Sequence, residues 1–593
     1  MSELLHFNGL DAETGAYLLP PMPLDRLAEL ARGAPASPEA AEALRTRLAA
    51  RKSFALAEGL DPADLAQAGW GLVLPAAQPG TPEHAAQQAI LSALEPLIAL
   101  RRAQASATDP RRFRLFTGPA GLRPGESKTD FLARHGAGAG PVDPWLVPYY
   151  LLLVGDPAQL PFRTGSLLDV QHAVGRLHFD APEHYAAYAD SVVAIETGAA
   201  PPRHGLHLFG VANPDDPATA ASARDLIAPL GAWVQQRRPE WDLGLDLAER
   251  ATKARLTEVL SRERGPALLL TASHGAGFRR TSPRQRAEQG ALICQDWTGP
   301  LNWGDRPLGP EVLFTAADLP PTDLRGLIAF VFACYGAGTP VHDGYSTDML
   351  GNRRTLADAP FLSELPRRML CHPPGGALAV IGHVDRAWTT SFLSAATGTP
   401  DNPGGQQLAA FRSVVVALMK GTPVGAALET FNQRYAELAT LLADALENDK
   451  YVAADERTDP ATLATLWTAH NDARGYVIIG DPAVRLGPPL PVPPATTGPP
   501  PPATPPSPSP SARLDDFGLA GFGLVDAAPQ ALTEVHTEPA RFEVTTRVDG
   551  QPRATTTISR DGTLTLDLHG EPLSAAAWQA HQDCVALAWQ RWK

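Results

Sequence analysis

Cysteine and histidine are the side chains best suited to nucleophilic chemistry near neutral pH, and this sequence places one of each at the end of an apolar run. ALLLTAS, from Ala267, delivers His274 followed by Gly275, and LIAFVFA, from Leu327, delivers Cys334 followed by Tyr335-Gly336-Ala337-Gly338. A thiolate attacks carbonyl carbon well, and a nearby imidazole takes its proton or gives one to a departing amine. The glycines let the backbone turn sharply and bring N–H groups toward a substrate oxygen. Together these parts suit acyl transfer. The competing interpretation is a buried inert thiol and a satisfied core histidine. The other thiols lack the setting: Cys294 sits in ALICQDW, Cys371 lies beside His372, and Cys584 is near the C-terminus.

The elements that must position the pair are legible in the pattern. Short apolar runs alternate with amphipathic segments: GWGLVLPA from Gly69, a helix over about 82–103, RFRLFTG from Arg112, a short helix over 129–135, and YYLLLVGDP from Tyr149. A second series runs through HGLHLFGVAN from His204, a helix over about 218–237, the two runs above, GALAVIGHVD from Gly376, long helices over 404–446, and GYVIIGDPAVRL from Gly475. Near-continuous apolar strands alternating with helices predict α/β architecture, with tandem doubly wound units, mostly parallel sheets and reactive groups at the carboxyl ends of the strands. VGDPA at Val154 and IGDPA at Ile479 echo each other.

An apolar strand ending in His-Gly and a later one ending in Ala-Cys resemble the caspase-like clan of cysteine peptidases, which includes caspases, gingipains, separases and the CHAT group. The pair matches as TAS-His274-Gly275 and FVFA-Cys334, 60 residues apart. YYLLLVGDPAQLPF from Tyr149, AVGRLHF from Ala173 and GYVIIGDPAVRL resemble the gingipain branch, in which a non-catalytic α/β subdomain precedes the catalytic one. The resemblance spans about 69–486. It implies a cysteine endopeptidase acting through a thioester acyl-enzyme: Cys334 attacks, His274 protonates the leaving amine, and the Gly275 and Cys334 N–H groups hold the oxyanion. It also implies that the strand after the nucleophile helps build the substrate pocket. There Asp385 would accept a basic side chain, Arg386 an acidic one, and Trp388 would form an apolar wall; a loop pair without a substrate role is the alternative. If the preferred residue is basic, Arg280 in GFRRT and Arg354 in GNRRT are candidate self-cleavage points, or simply solvated loops. The implied partners are a protein or peptide substrate and a regulatory protein acting through the N-terminal helices or the C-terminal module. By analogy, bacterial relatives of caspases often serve in defence. A silent caspase-like adaptor is the alternative of another class.

Other chemistries find little footing. No G-x-S-x-G occurs, and the nearest approach to a P-loop, GLRPGESKT from Gly121, has Ser127 where the second glycine belongs. Cys371, His372, His383 and His342 lack zinc-ligand spacing, so neither metal nor cofactor is expected. With 50 Lys and Arg against 64 Asp and Glu, a net charge of −14 and no basic cluster, nucleic acid is not an expected partner. No apolar stretch has membrane-spanning length and the start lacks a secretory signal, so a cytoplasmic location is expected.

The 593 residues imply several modules. The boundaries read as an N-terminal helical region (1–67), a non-catalytic α/β subdomain (68–202), a caspase-like catalytic domain (203–486), a proline-rich linker (487–511) and a small α+β module (512–593). Thirteen of the 23 residues from Pro488 to Pro510 are proline, a composition that favours extended polyproline structure and builds no core. In the last module Asp549-Gly550 and Asp561-Gly562 mark hairpins of a three-stranded antiparallel unit, followed by a helix over 573–593.

Overall fold

The computed structural model describes residues 4–5, 9–17, 22–23, 56–57, 59–347, 353–393 and 407–487, and in the C-terminal module 531–538, 541–548, 551–559, 564–568, 581 and 585. The expected N-terminal helices, the proline-rich linker and the last helix fall outside the described residues. The chain divides into two compact units, Met1–Pro491 and Val492–Lys593.

Ten strands of the first unit form one sheet: β1 (Trp70–Val73), β2 (Phe113–Phe116), β3 (Tyr150–Val154), β4 (Ala173–Leu177), β5 (Leu206–Gly210), β6 (Leu243–Leu247), β7 (Leu268–Ala272), β8 (Ile328–Phe332), β9 (Ala379–His383) and β10 (Tyr476–Gly480). Their order is β2-β1-β3-β4-β10-β9-β8-β7-β5-β6. Every neighbouring pair is parallel except β9 with β10. The two expected series are thus halves of one continuous sheet, joined where β10 returns antiparallel to β9 and extends the first half beside β4.

The apolar runs explain this arrangement. Eight of the ten strands have at least four consecutive buried residues, the pattern of strands covered by helices on both faces. One hydrophobic cluster runs from β1 through Tyr188, Phe330 and Phe411 to Val484, so both halves share a core. Helices start where capping chemistry permits: Thr81 before Pro82–Ala93, and Asp216 before Pro217–Ala221, each with proline in the first turn. The expected helix over 218–237 is interrupted by π-helical turns at Ser222–Ile227. The two Gly-Asp-Pro-Ala echoes end β3 and β10, the strands on either side of β4, with Gly155 and Gly480 at φ 149° and 128°. Each aspartate then accepts the N–H two residues on, Asp156 from Ala158 at 2.7 Å and Asp481 from Ala483 at 3.1 Å.

A second, smaller sheet stands beside the carboxyl ends of the second half. Its order is Leu313–Phe314, Leu292–Ile293, His274–Gly277 and Leu10–Asp11. The run ALLLTASHG therefore belongs to two strands: β7 ends at Ala272, and His274 opens a strand of the smaller sheet. In the C-terminal unit the antiparallel sheet has four strands, Ala531–Glu538, Arg541–Val548, Gln551–Ser559 and Leu564–Leu568, one more than the turn signals indicate. The extra strand, ALTEVHTE, precedes the first Asp-Gly turn. Among the described residues no helix is long and apolar enough to cross a membrane.

Candidate active site

His274 is fully buried, and both of its ring nitrogens are engaged. Nδ1 accepts the Gly9 N–H at 2.7 Å, and Nε2 lies 2.8 Å from Asp216 Oδ2. A ring that accepts through Nδ1 carries its proton on Nε2, where it donates to the carboxylate. Asp216 reaches the ring because β5 lies next to β7, so the loop leaving β5 ends beside the loop leaving β7. Asp216 caps Pro217–Ala221 and accepts from the Thr219 hydroxyl at 2.5 Å and the Tyr17 hydroxyl at 2.7 Å. Burial alone would raise its pKa, but the imidazole and the hydrogen bonds from Thr219 and Tyr17 outweigh burial and hold the carboxyl well below the usual range. Tyr17 is pushed above its ordinary value by burial and by Asp216, so it remains a neutral donor. The rings of Tyr17 and Trp297 meet the imidazole edge-on, with centroids at 5.9 and 6.0 Å.

Cys334 follows β8 by two residues, in a turn held from both sides. Gly275 lies against its backbone: a Cβ on Gly275 would fall 1.8 Å from the Cys334 oxygen and 2.9 Å from its nitrogen, so no side chain fits there. The Ser273 N–H donates to Phe332 O at 3.2 Å and ties the two strand ends together. On the other side, Tyr335 N–H donates to Asp385 O at 2.7 Å and Ala337 N–H to His383 O at 2.8 Å. Tyr335 and Asp385 both hold left-handed backbone, at φ 56° and 75°. For bulky residues this costs about 1 kcal/mol or more and is sustained by surrounding structure, as at functional turns. The Cys334 sulfur lies 4.0 Å from Ala387 O. Burial pushes the thiol up to about 12, against the opposing influence of the Ala387 hydrogen bond and Arg386. It is a thiol, not a thiolate, at neutral pH.

The backbones of the His274-Gly275 and Cys334 segments thus meet at adjoining strand ends, while the imidazole is turned toward Asp216 and Gly9 and both residues are closed to solvent. The substrate-pocket candidates separate. Asp385 lines a cavity of about 390 Å³ together with Phe162, His342, Arg353, Val384 and Arg474, and burial raises its carboxyl to about 6. Arg386 forks onto Asp343, at 2.5 and 2.8 Å, and is 3% exposed. Trp388 packs against Tyr345 at a centroid distance of 4.7 Å, and Tyr345 in turn meets Trp467 at 4.8 Å, within a second apolar cluster. Arg386 and Trp388 are bound into packing in this structure, and neither lines the cavity. Arg280 and Arg354 are both exposed; Arg280 lies 3.4 Å from Asp358, and Arg354 belongs to a strand paired with His342–Thr347.

Cys294 and Cys371 are buried, and burial raises both thiols; Cys584 lies outside the described residues. His372 and His383 turn to different carbonyls, those of Pro320 and Arg386. Among the described residues no three His, Cys, Asp or Glu side chains converge as a metal site.

Sequence reasoning missed Asp216, Tyr17 and Gly9. For Asp216 a signal existed: in VANPDDPAT it is an Asp-Pro helix start just after the strand that precedes the histidine strand. Gly9 and Tyr17 lie some 265 and 257 residues before His274 and carry no local signature.

No protein-family model and no curated protein matches the sequence. Among solved structures the chain is similar to one titled "Structure of Protease", at 12% identity over 86% of this chain and 94% of that one, with a TM-score of 0.38. It is also similar to the complex of Porphyromonas gingivalis RgpB pro- and mature domains, at 12% identity over 85% of this chain and 94% of that one, with a TM-score of 0.34. At these scores neither likeness identifies a family.

Proposed function

We propose that the protein is a cysteine endopeptidase that hydrolyses peptide bonds of protein substrates through Cys334 and His274, with Asp216 orienting the imidazole. The observation that carries this reading is the His274–Asp216 pair at the strand end whose glycine abuts Cys334. A carboxylate on Nε2 fixes the tautomer and stabilises the imidazolium, leaving Nδ1 as the position that exchanges protons. In the reaction, the Cys334 S–H proton passes to Nδ1 and the thiolate attacks the scissile carbonyl carbon. The C–N bond then breaks, the amine leaves with the Nδ1 proton, and water hydrolyses the thioester to return the thiol. The Gly275 and Cys334 N–H groups are assigned to the oxyanion. Asp385, which lines the cavity beside the turn, is the retained substrate-binding candidate; Arg386 and Trp388 are assigned to shaping that wall from behind.

A second reading draws on the closed state itself. A thiol raised to about 12 and an imidazole with both nitrogens occupied also suit a silent protein that keeps the fold for binding. Incubation with a mixed peptide library, read by mass spectrometry, separates the two. Cleavage that disappears in Cys334→Ala and His274→Ala supports the peptidase; cleavage surviving in Cys334→Ala rules out this dyad.

A further inference from the structure

The segment Gly9–Tyr17 is placed on the catalytic imidazole in a way that a working acid–base group does not tolerate. Its first N–H occupies Nδ1, the only ring position that Asp216 leaves open. A proton on Nδ1 would face the Gly9 N–H donor head on, so the ring can neither take the Cys334 proton nor hold one for a leaving amine. The same segment ends with the Tyr17 hydroxyl on the other oxygen of Asp216. We propose that Gly9–Tyr17 is an autoinhibitory latch, and that its displacement frees His274 Nδ1 and switches on the site. This rests on the peptidase reading above.

The attachment is built to hold and also to release. Leu10 and Asp11 pair with Ala276 and Gly277 as a two-residue strand at the edge of the smaller sheet, so leaving breaks nothing in the ten-stranded sheet. Ala12 continues the contact, donating to Gly277 O at 2.6 Å and accepting from Leu308 N at 2.7 Å. Leu10 is the large apolar anchor: it is fully enclosed in a cluster with Ile293, Phe278, Trp297 and Leu313. Arg279, on the loop that follows the histidine strand, lies 3.6 Å from Asp11 and 3.8 Å from Glu13, adding a charged tether. These anchors lie outside the groups assigned to chemistry, so the latch can be weakened without touching the dyad.

The test uses the full chain and a peptidyl acyloxymethyl ketone, with alkylation of Cys334 followed by mass spectrometry. Leu10→Asp puts a carboxylate into the enclosed apolar pocket and should expel the strand. Arg279→Glu reverses the exposed tether against Asp11 and Glu13 and leaves the core intact, so it keeps the test valid if Leu10→Asp misfolds. The expected result is at least a 10-fold faster alkylation in Leu10→Asp and a several-fold increase in Arg279→Glu, which added salt reduces by screening. Long-range ¹H–¹⁵N spectra should show Nδ1 of His274 losing its accepted hydrogen bond in the same variants. Equal alkylation in wild type and both variants, absent in Cys334→Ala, would overturn the latch and leave the peptidase reading standing. No alkylation of Cys334 in any form would overturn both.

Discussion

At the scale of single residues, the site is a division of labour around one imidazole. Asp216 fixes the Nε2 proton; in the closed state Thr219 and Tyr17 hold it ionised, and once Gly9–Tyr17 leaves, Thr219 and the imidazole remain to hold its charge. Asp216→Asn would keep the shape but invite the wrong tautomer. Turnover should fall by about two to four orders of magnitude with little change in KM, checked by steady-state kinetics on a cleaved peptide. Gly275→Ala should abolish activity by another route, since its methyl would meet the Cys334 carbonyl at 1.8 Å and push the two strand ends apart. His274, Gly275 and Cys334 were readable in the sequence because each closes or follows an apolar run. Asp216 was readable only in principle, once β5 is known to neighbour β7. Gly9 and Tyr17 were not readable, because an edge strand of two residues leaves no periodicity.

At the scale of elements, the turn around Cys334 and strand β9 with the residues after it behave as one piece. Arg386 is built into this piece. It follows β9 where a specificity group is expected, but its guanidinium is forked onto Asp343 with both partners buried. Arg386→Ala would leave that carboxylate buried without its partner and should cost about 3–5 kcal/mol of stability, seen as a lowered urea midpoint rather than an altered cleavage preference. Trp388→Ala removes a fully packed side chain and should cost a similar ~3–5 kcal/mol. In the first half of the sheet, Lys128 opens the helix Lys128–Arg134, and burial pulls its ammonium down to about 7 against the influence of Asp169. Between pH 7 and its ordinary value of 10.5 the unfolded chain binds a proton at Lys128 that the folded chain does not, so stability rises with pH across that window. Asp169, raised to about 7 by burial, acts below that window: there the folded state holds the proton, and stability falls as pH rises toward 7. The buried thiols act in the opposite direction near pH 9, so the check is a difference: the change in urea midpoint from pH 7 to 9.5 should be more positive in wild type than in Lys128→Met.

At the scale of the whole molecule, the apolar runs announced parallel strands and placed reactive residues at their carboxyl ends, and the proline-rich stretch marked a break in composition. What the runs could not reveal is that the two series fuse into one sheet, because the join depends on the direction of β10, and strand direction is not written in hydropathy. The shared core predicts that cutting within 68–486 destroys both halves together. Truncation after Pro491 should instead leave a first unit that unfolds in one cooperative transition, checked by calorimetry of the fragment. Cys334 is proposed as the nucleophile of a peptidase held closed by the Gly9–Tyr17 segment. Peptide-library hydrolysis by wild type, Leu10→Asp and Leu10→Asp/Cys334→Ala tests it most directly. The account predicts slow cleavage by wild type, fast cleavage by Leu10→Asp and none by the double variant; equal cleavage by Leu10→Asp with and without Cys334 would contradict it.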